Sequence, residues 1–311
     1  MKKHFSYLLL ISSLLDAGIF PVNITPSPTT QFEHIRILDQ KELVFDKIGG
    51  IKFAEISDLA YQSKNEQLYL LSDQGKLFVF KAVFSNRIDR LEPLSGINLT
   101  QKNGREFKHW QRDSEGLAIG KKDRLLISFE GEPKISTFDA KGRMIYDAKL
   151  LQALKKQNAY RSPNKALEAV AWHPLYGILT ASEWPVKKDD KKLQSIYSLR
   201  GKTWHLKAEP EAKSGITAIE VMDDGNILVL ERSYIGLFDP FVVTLKKVYL
   251  NQCRQGICSS KVLLKMNSHK GWSIDNFEGL AKVGDHRYVV ISDNQENFFQ
   301  KTLLIYFEAL D

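Results

Sequence analysis

Only two cysteines occur in the 311 residues, Cys253 and Cys258 in the segment NQCRQGICSS. With no second pair, a four-cysteine zinc cage is excluded. Beyond the N-terminal stretch, no run approaches the ~20 consecutive apolar residues of a membrane-crossing helix, so no transmembrane span is expected in a mature form. The G-x-S-x-G elbow, the H-E-x-x-H zinc helix and the Walker loop are all missing, which removes three common catalytic templates. His109, His173 and His269 stand isolated, nothing localises a serine-histidine triad, and catalytic residues stay unassigned. Lysine and arginine outnumber the acids 44 to 37, a formal charge of +7. These basic residues are scattered in loops such as KKDDKK at Lys187 to Lys192, without the aromatic-interleaved stripe of a nucleic-acid binder, so no nucleic-acid partner is expected.

What is present begins with Met1-Lys2-Lys3-His4, an apolar stretch from Phe5 to Leu15, and small residues at Ala17 and Gly18. A basic start, an apolar middle and small residues near a cleavage point describe a secretory signal peptide. It is expected over residues 1–22, with the folded domain over residues 31–311. The product is then periplasmic or secreted, and there Cys253 and Cys258 are expected to close a disulfide across a loop tip. A monomer is expected.

The strongest signal is an internal repeat. Five segments each hold a short apolar strand, a turn and a second apolar strand ending in an acid. They are EISDLAY with LYLLSD, DSEGLAI with LLISFE, KALEAVAW with ILTASE, SGITAIEV with ILVLE, and DNFEGLAKV with YVVISD. Turn formers such as Asp223-Asp224-Gly225-Asn226 and Gly284-Asp285 join the strands. The reference residues are Ser57, Glu115, Glu168, Thr217 and Glu278 in the first strands, and Asp73, Glu130, Glu183, Glu231 and Asp293 in the second. Within a copy they are 16, 15, 15, 14 and 15 residues apart, whereas successive copies lie 58, 53, 49 and 61 apart. A fixed hairpin with variable outer decoration is how propeller blades vary, so the fold class is all-β, a single β-propeller with five visible blade repeats. A sixth, degenerate blade is left open in the 73–113 or 231–275 gap. One short helix is expected at Leu150 to Gln157. Closure is expected between HIRIL at His34 and TLLIYF at Thr302.

In an antiparallel hairpin, the start of the first strand and the end of the second lie at the same end. The acids Asp73, Glu115, Glu130, Glu168, Glu183, Glu231, Glu278 and Asp293 are thereby expected to converge at one mouth of the central channel. Like charges at short range raise one another's pKa, so something must compensate them. A hard divalent cation that takes oxygen ligands, calcium above all, fits this sulfur-free supply, with Glu115, Glu168 and Glu278 as its core. Local cations are the other compensation, among Arg112, Lys134, Arg161, Arg232 and Lys301. Each acid can also be read as a structural latch on backbone N–H groups.

These repeat residues resemble the family described as "esterase-like activity of phytase". The resemblance spans Ile48 to Phe307 and rests on EISDLAY with YLLSDQG, RDSEGLAI with ISFEGEPKI, ALEAVAWHP, ILVLERSY, and DNFEGLA with VISDNQENFFQKTLLIYF. Asp58 departs from it, standing where the common form has glycine. The resemblance implies an exported propeller that hydrolyses phosphoesters or carboxyesters. A small phosphorylated or ester substrate would then meet divalent cations, with Arg112, Lys134, Arg232 and Lys301 as clamps. Two other readings stay open. One is a non-catalytic envelope propeller that binds a partner or glycan around structural calcium; the other is a lactonase-like enzyme, kept alive by Asn276 and Asn294.

Overall fold

The computed structural model describes residues 17–236, 239–295 and 300–310. The signal segment read over residues 1–22 falls mostly outside them, and its last residues belong to β1 (Gly18–Pro21). Next come β2 (Ile35–Val44) and a small hairpin of β3 (Lys47–Ile48) and β4 (Ile51–Lys52).

Five blades follow. The first holds β5 (Ile56–Gln62), β6 (Gln67–Ser72), β7 (Lys76–Phe84) and β8 (Ile88–Asn98). The second holds β9 (Ser114–Ile119), β10 (Leu125–Phe129), β11 (Lys134–Phe138) and β12 (Met144–Asp147). In the third are β13 (Leu167–His173), β14 (Gly177–Ser182), β15 (Leu193–Ser198) and β16 (Thr203–Lys207). The fourth has β17 (Gly215–Val221), β18 (Ile227–Ser233), β19 (Val242–Arg254) and β20 (Ile257–Asn267). The fifth begins with β21 (Asn276–Gly284), β22 (Arg287–Asp293) and β23 (Leu303–Ala309), and takes β2 as its fourth strand and β1 as an outer fifth. The first strands β5, β9, β13, β17 and β21 touch one another in turn, and β21 returns to β5. The protein is therefore an all-β, five-bladed propeller.

Closure is the pairing read from the sequence: β2 runs antiparallel to β23, from Ile35 opposite Ala309 to Glu42 opposite Leu303. Joining the two ends of the chain in one blade removes the exposed edge each would otherwise present. Apolar packing does the rest. Successive side chains of a strand point to opposite faces. Along β6, Leu68 and Leu70 therefore enter the core shared with the fifth blade, while Tyr69 and Leu71 enter the core shared with the second. With both faces covered, such strands read as continuous apolar runs like LYLLS and YVVIS.

One open alternative is closed and one expectation is corrected. Among the described residues no sixth blade lies in the gaps: long outer strands fill them, β7 and β8 in the first, β19 and β20 in the second. The helix expected at Leu150 to Gln157 is two single 3-10 turns, Gln152–Leu154 and Gln157–Ala159. So short a segment does not recover the cost of nucleating a helix, and Leu150 and Leu154 instead enter the core between blades 2 and 3.

Candidate functional site

Each innermost strand carries a β-bulge at the same place, which no feature of the sequence announced. The ladder slips between Ile56 and Asp58, Leu167 and Ala169, Ile216 and Ala218, and Phe277 and Gly279. In the second blade Glu115 and Gly116 face the single residue Ser128. The residue left out of the ladder is Ser57, Glu168, Thr217 or Glu278, so the bulge re-aims the reference residue of the repeat. The glycine of the EGLA motif has its own cause. A Cβ on Gly116 would stand 2.7 Å from the Val170 backbone nitrogen of the next blade, and one on Gly279 would stand 2.8 Å from Cα of Asp58.

Asp58, in that glycine position, is buried among the inner strands. Its carboxylate accepts backbone N–H bonds from Leu59 (2.8 Å), Leu117 (2.6 Å) and Leu280 (3.0 Å). One side chain thus ties the inner strands of blades 5, 1 and 2, a latch of the kind expected for some of the acids. Burial first of all raises its pKa well above the ordinary carboxylate range.

The ends of the repeat hairpins line a cavity of about 570 Å³. The structure brings Asp73, Glu115, Glu130, Glu168, Glu183, Glu278 and Asp293 together there, and adds Glu55 and Asp113, which the sequence reading missed. Both added acids are the first residues of their repeat motifs, EISDLAY and DSEGLAI, where their carbonyls accept the Asp73 and Glu130 N–H groups, and that shared position was the available signal. Among the described residues, nine carboxylates face three cations, Lys165, Lys213 and Arg232, along the cavity lining.

Glu231 is the exception among the predicted ring acids. In β18 it pairs with Ile216, the position that Ser72, Ser182 and Ser292 hold in other blades, and Arg232 takes the ring position. A one-residue slip turns a strand side chain to the other face. Glu231 consequently points between blades, where it pairs with buried Lys246 and accepts the Glu209 N–H and the Ser214 hydroxyl, each at 3.0 Å. The short spacing of 14 residues in that copy was the trace of the slip.

Of the four predicted clamps, only Arg232 reaches the mouth. It donates to Glu278 at 2.9 Å and to Asn276, and stands 3.6 Å from Glu183. Asn276, cited for a lactonase-like ion, is thus engaged by a guanidinium. Arg112 donates to Gln74 at 2.7 Å, Lys134 lies over the rings of Phe107 and Phe129, and Lys301 pairs with Glu42 at 2.8 Å, all outside this cavity. Arg161 holds the Asp189 carbonyl at 2.6 Å. Lys165, missed as a site cation, pairs with Glu183. Among the histidines, His173 is buried, with Nε2 3.0 Å from the Gly225 carbonyl and Nδ1 accepting the Leu175 N–H at 3.0 Å. It holds structure rather than a triad.

Electrostatics follow from the crowding. Burial, then Glu55, Asp113 and Glu278, push Asp73 up to about 7. Burial also raises Glu130 to about 8, against the Ala166 N–H that its Oε1 accepts at 2.7 Å. Asp293 rises to about 8 through burial and then Glu278. Glu115 and Glu168 go well above the ordinary range, for burial first and neighbouring carboxylates second. Ligand oxygens of Asp113, Glu115 and Glu130 lie within 4.8 Å of one another, and buried Oδ1 of Asp73 has no hydrogen-bond partner among the described residues. An all-oxygen set with an orphaned carboxylate oxygen beside it fits a hard divalent cation.

Comparison with known proteins adds the following. A family model described as "Phytase-like: Esterase-like activity of phytase" matches residues 51–296. Among solved structures, one described as "Crystal Structure of Mitotic Checkpoint Complex" matches at 13% identity and a TM-score of 0.38, over 82% of this chain and 64% of that chain. The PQQ-bound aldose sugar dehydrogenase of Streptomyces coelicolor matches at 8% identity and a TM-score of 0.38, over 88% of this chain and 97% of that one. No curated protein matches.

Proposed function

The chain belongs to the family described as esterase-like activity of phytase, and on that premise we propose that it hydrolyses phosphate or carboxylic esters at the acid mouth of its propeller, with a divalent cation. A fold hosts many activities, so the site must carry the reading. The carrying observation is the imbalance, among the described residues, of nine carboxylates against three cations around one 570 Å³ cavity, with Oδ1 of Asp73 unpartnered there.

Asp113, Glu115 and Glu130 would hold the cation, calcium by the hardness of its ligands, with Glu168 and Glu278 behind them. When bound, it supplies Lewis-acid polarisation of an ester oxygen and offsets the repulsion between the carboxylates and an anionic substrate. Asp73 and Asp293, near 7 and 8, are placed to exchange a proton at neutral pH. One in its ionised form takes a proton from the attacking water, and the other, protonated, gives one to the departing alkoxide. Arg232, Lys165 and Lys213 then face the negative charge that develops on the ester oxygens.

The export reading belongs with this proposal: the signal segment and the disulfide suit a periplasmic or secreted protein. Cleavage ahead of Gly18 would keep β1 in the fifth blade. The binding-propeller reading has one observation in its favour, the structural latch of Glu130 on Ala166. Metal analysis followed by a panel of phosphomonoesters, aryl esters and lactones separates the two. Hydrolysis that is lost in Asp293→Asn supports the enzyme; calcium binding without turnover on any panel member supports the binding propeller.

A further inference from the structure

Beside the acid mouth lies a larger cavity, about 1110 Å³, in the cleft between blades 3 and 4. One wall is the loop from Trp184 to Leu193, the other the connection from Lys207 to Ser214, and Ile257 of the β19–β20 hairpin lines it as well. Trp184 and Lys213 line both cavities and so form the wall they share.

Its chemistry is the reverse of the mouth's. The apolar lining includes Trp184, Pro185, Leu193 and Ile257. Around it stand the exposed side chains of Lys187, Lys191, Lys192, Lys207 and Lys213, none of which makes an ion pair among the described residues. Of the three acids on the same walls, Glu209 and Glu211 pair with other lysines, and Asp190 holds only a backbone N–H of its own loop. Glu209 meets Lys265 at 2.6 Å and Lys246 at 3.4 Å, Glu211 meets Lys265 at 2.9 Å, and Asp190 accepts the Lys192 N–H at 2.9 Å. The cleft is therefore an apolar slot whose rim holds five lysines against the one carboxylate of Asp190, an excess of positive charge.

The walls are also fixed in place. Glu231 grips the Glu209 N–H and the Ser214 hydroxyl from below. Arg161 holds the opposite loop through the Asp189 carbonyl. The hairpin end is closed by the Cys253–Cys258 disulfide and tied to blade 3, where the His205 N–H donates to Gly256 at 3.0 Å. A pre-formed slot with a few charged groups at its rim is the usual form of a small-molecule site, and it binds without the cost of ordering loops.

We infer that this cleft binds the body of an organic anion: a ring or acyl group bearing phosphate, sulfate or carboxylate. Charge sets the orientation, since the carboxylate mouth repels anionic substituents and the lysine rim attracts them. The molecule's neutral or singly charged end then passes Trp184 toward the acids, a step that rests on the hydrolase reading above.

The test uses 2-naphthalenesulfonate, which has no ester to cleave, in a chelator so that no cation at the mouth draws the sulfonate. Calorimetry compares it with neutral 2-naphthylmethanol and with inorganic sulfate. The sulfonate is expected to bind about tenfold or more tighter than either and to weaken as salt is added. The triple change Lys191→Glu, Lys192→Glu, Lys207→Glu should weaken it by about tenfold or more with an unchanged circular dichroism spectrum, since these side chains are exposed. Equal binding of the sulfonate and the neutral alcohol, or binding insensitive to salt in the unaltered protein, overturns the inference whether or not the triple variant folds. Loss of the hydrolase reading would leave a positive result standing, whereas hydrolysis without sulfonate binding would overturn the cleft alone.

Discussion

The Arg232 guanidinium of the fourth blade donates to Oε1 of Glu278 in the fifth at 2.9 Å. Four blades place a carboxylate at the end of their second strand, and the fourth places this arginine there. Burial alone would lower its pKa, yet Glu278, Glu183, Glu168 and Asp293 together raise it, so the charge is held. Arg232 is thus the cation at a ring position, with Lys165 and Lys213 beside it along the same cavity.

Removing it should expose the cost of the remaining charges. Breaking a buried pair by deleting one partner typically costs ~3–5 kcal/mol, and Arg232→Gln is expected to fall in that range in chelator. Calcium should recover part of the loss. Denaturant melts of both proteins, with and without calcium, check this; equal stability of variant and parent in chelator would mean that Arg232 does not balance the ring.

Much of this was legible beforehand, for physical reasons. The inner hairpin recurs because every blade must bury both faces at the same radius, so the blades and the closure of β2 on β23 stand out in the sequence. The ring acids followed from the same repeat. Glu231 misled because strand residues alternate in facing, and a one-residue error exchanges a channel residue for a buried one. The cations were less legible: Lys134 and Lys301 sit near motifs in the chain but do not line the cavity, whereas Lys213, one residue ahead of SGITAIEV, does. The bulges left no composition signal at all.

Stability should fall as pH rises. Asp73 near 7, and Glu130 and Asp293 near 8, lie above the ~4 of an unfolded carboxylate, so the folded state holds more protons between these values. Their contribution is complete below about pH 4 and is lost by about pH 8. Melting temperatures in chelator should therefore drop from about pH 5 to about pH 8, and calcium should flatten the profile by restoring the alkaline side. A melting temperature that climbs over this interval in chelator would reverse the assignment.

Asp58 should matter far more than its single side chain suggests. Asp58→Ala leaves the Leu117 and Leu280 N–H groups without their acceptor, at ~1–3 kcal/mol each. Chemical denaturation should show a loss of at least about 3 kcal/mol, with Asp58→Asn intermediate. A loss below about 1 kcal/mol would show that the central latch is dispensable.

The disulfide closes a short loop, five residues apart in sequence. Chain entropy then gives about 2 kcal/mol, and Cys258→Ser should lose no more than that while keeping the propeller. Thiol titration of the denatured, unreduced protein should find none free.

The central claim is that the acid mouth binds a divalent cation through Asp113, Glu115 and Glu130. Calorimetric titration of calcium into the chelator-stripped protein near pH 8, beside the same titration of Glu115→Gln, tests it most directly. The account predicts saturable binding to the parent protein, a raised melting temperature, and about tenfold or greater weakening in the variant, which keeps its shape and loses one charge. Absence of calcium binding to the parent, or binding unchanged by Glu115→Gln, would contradict it.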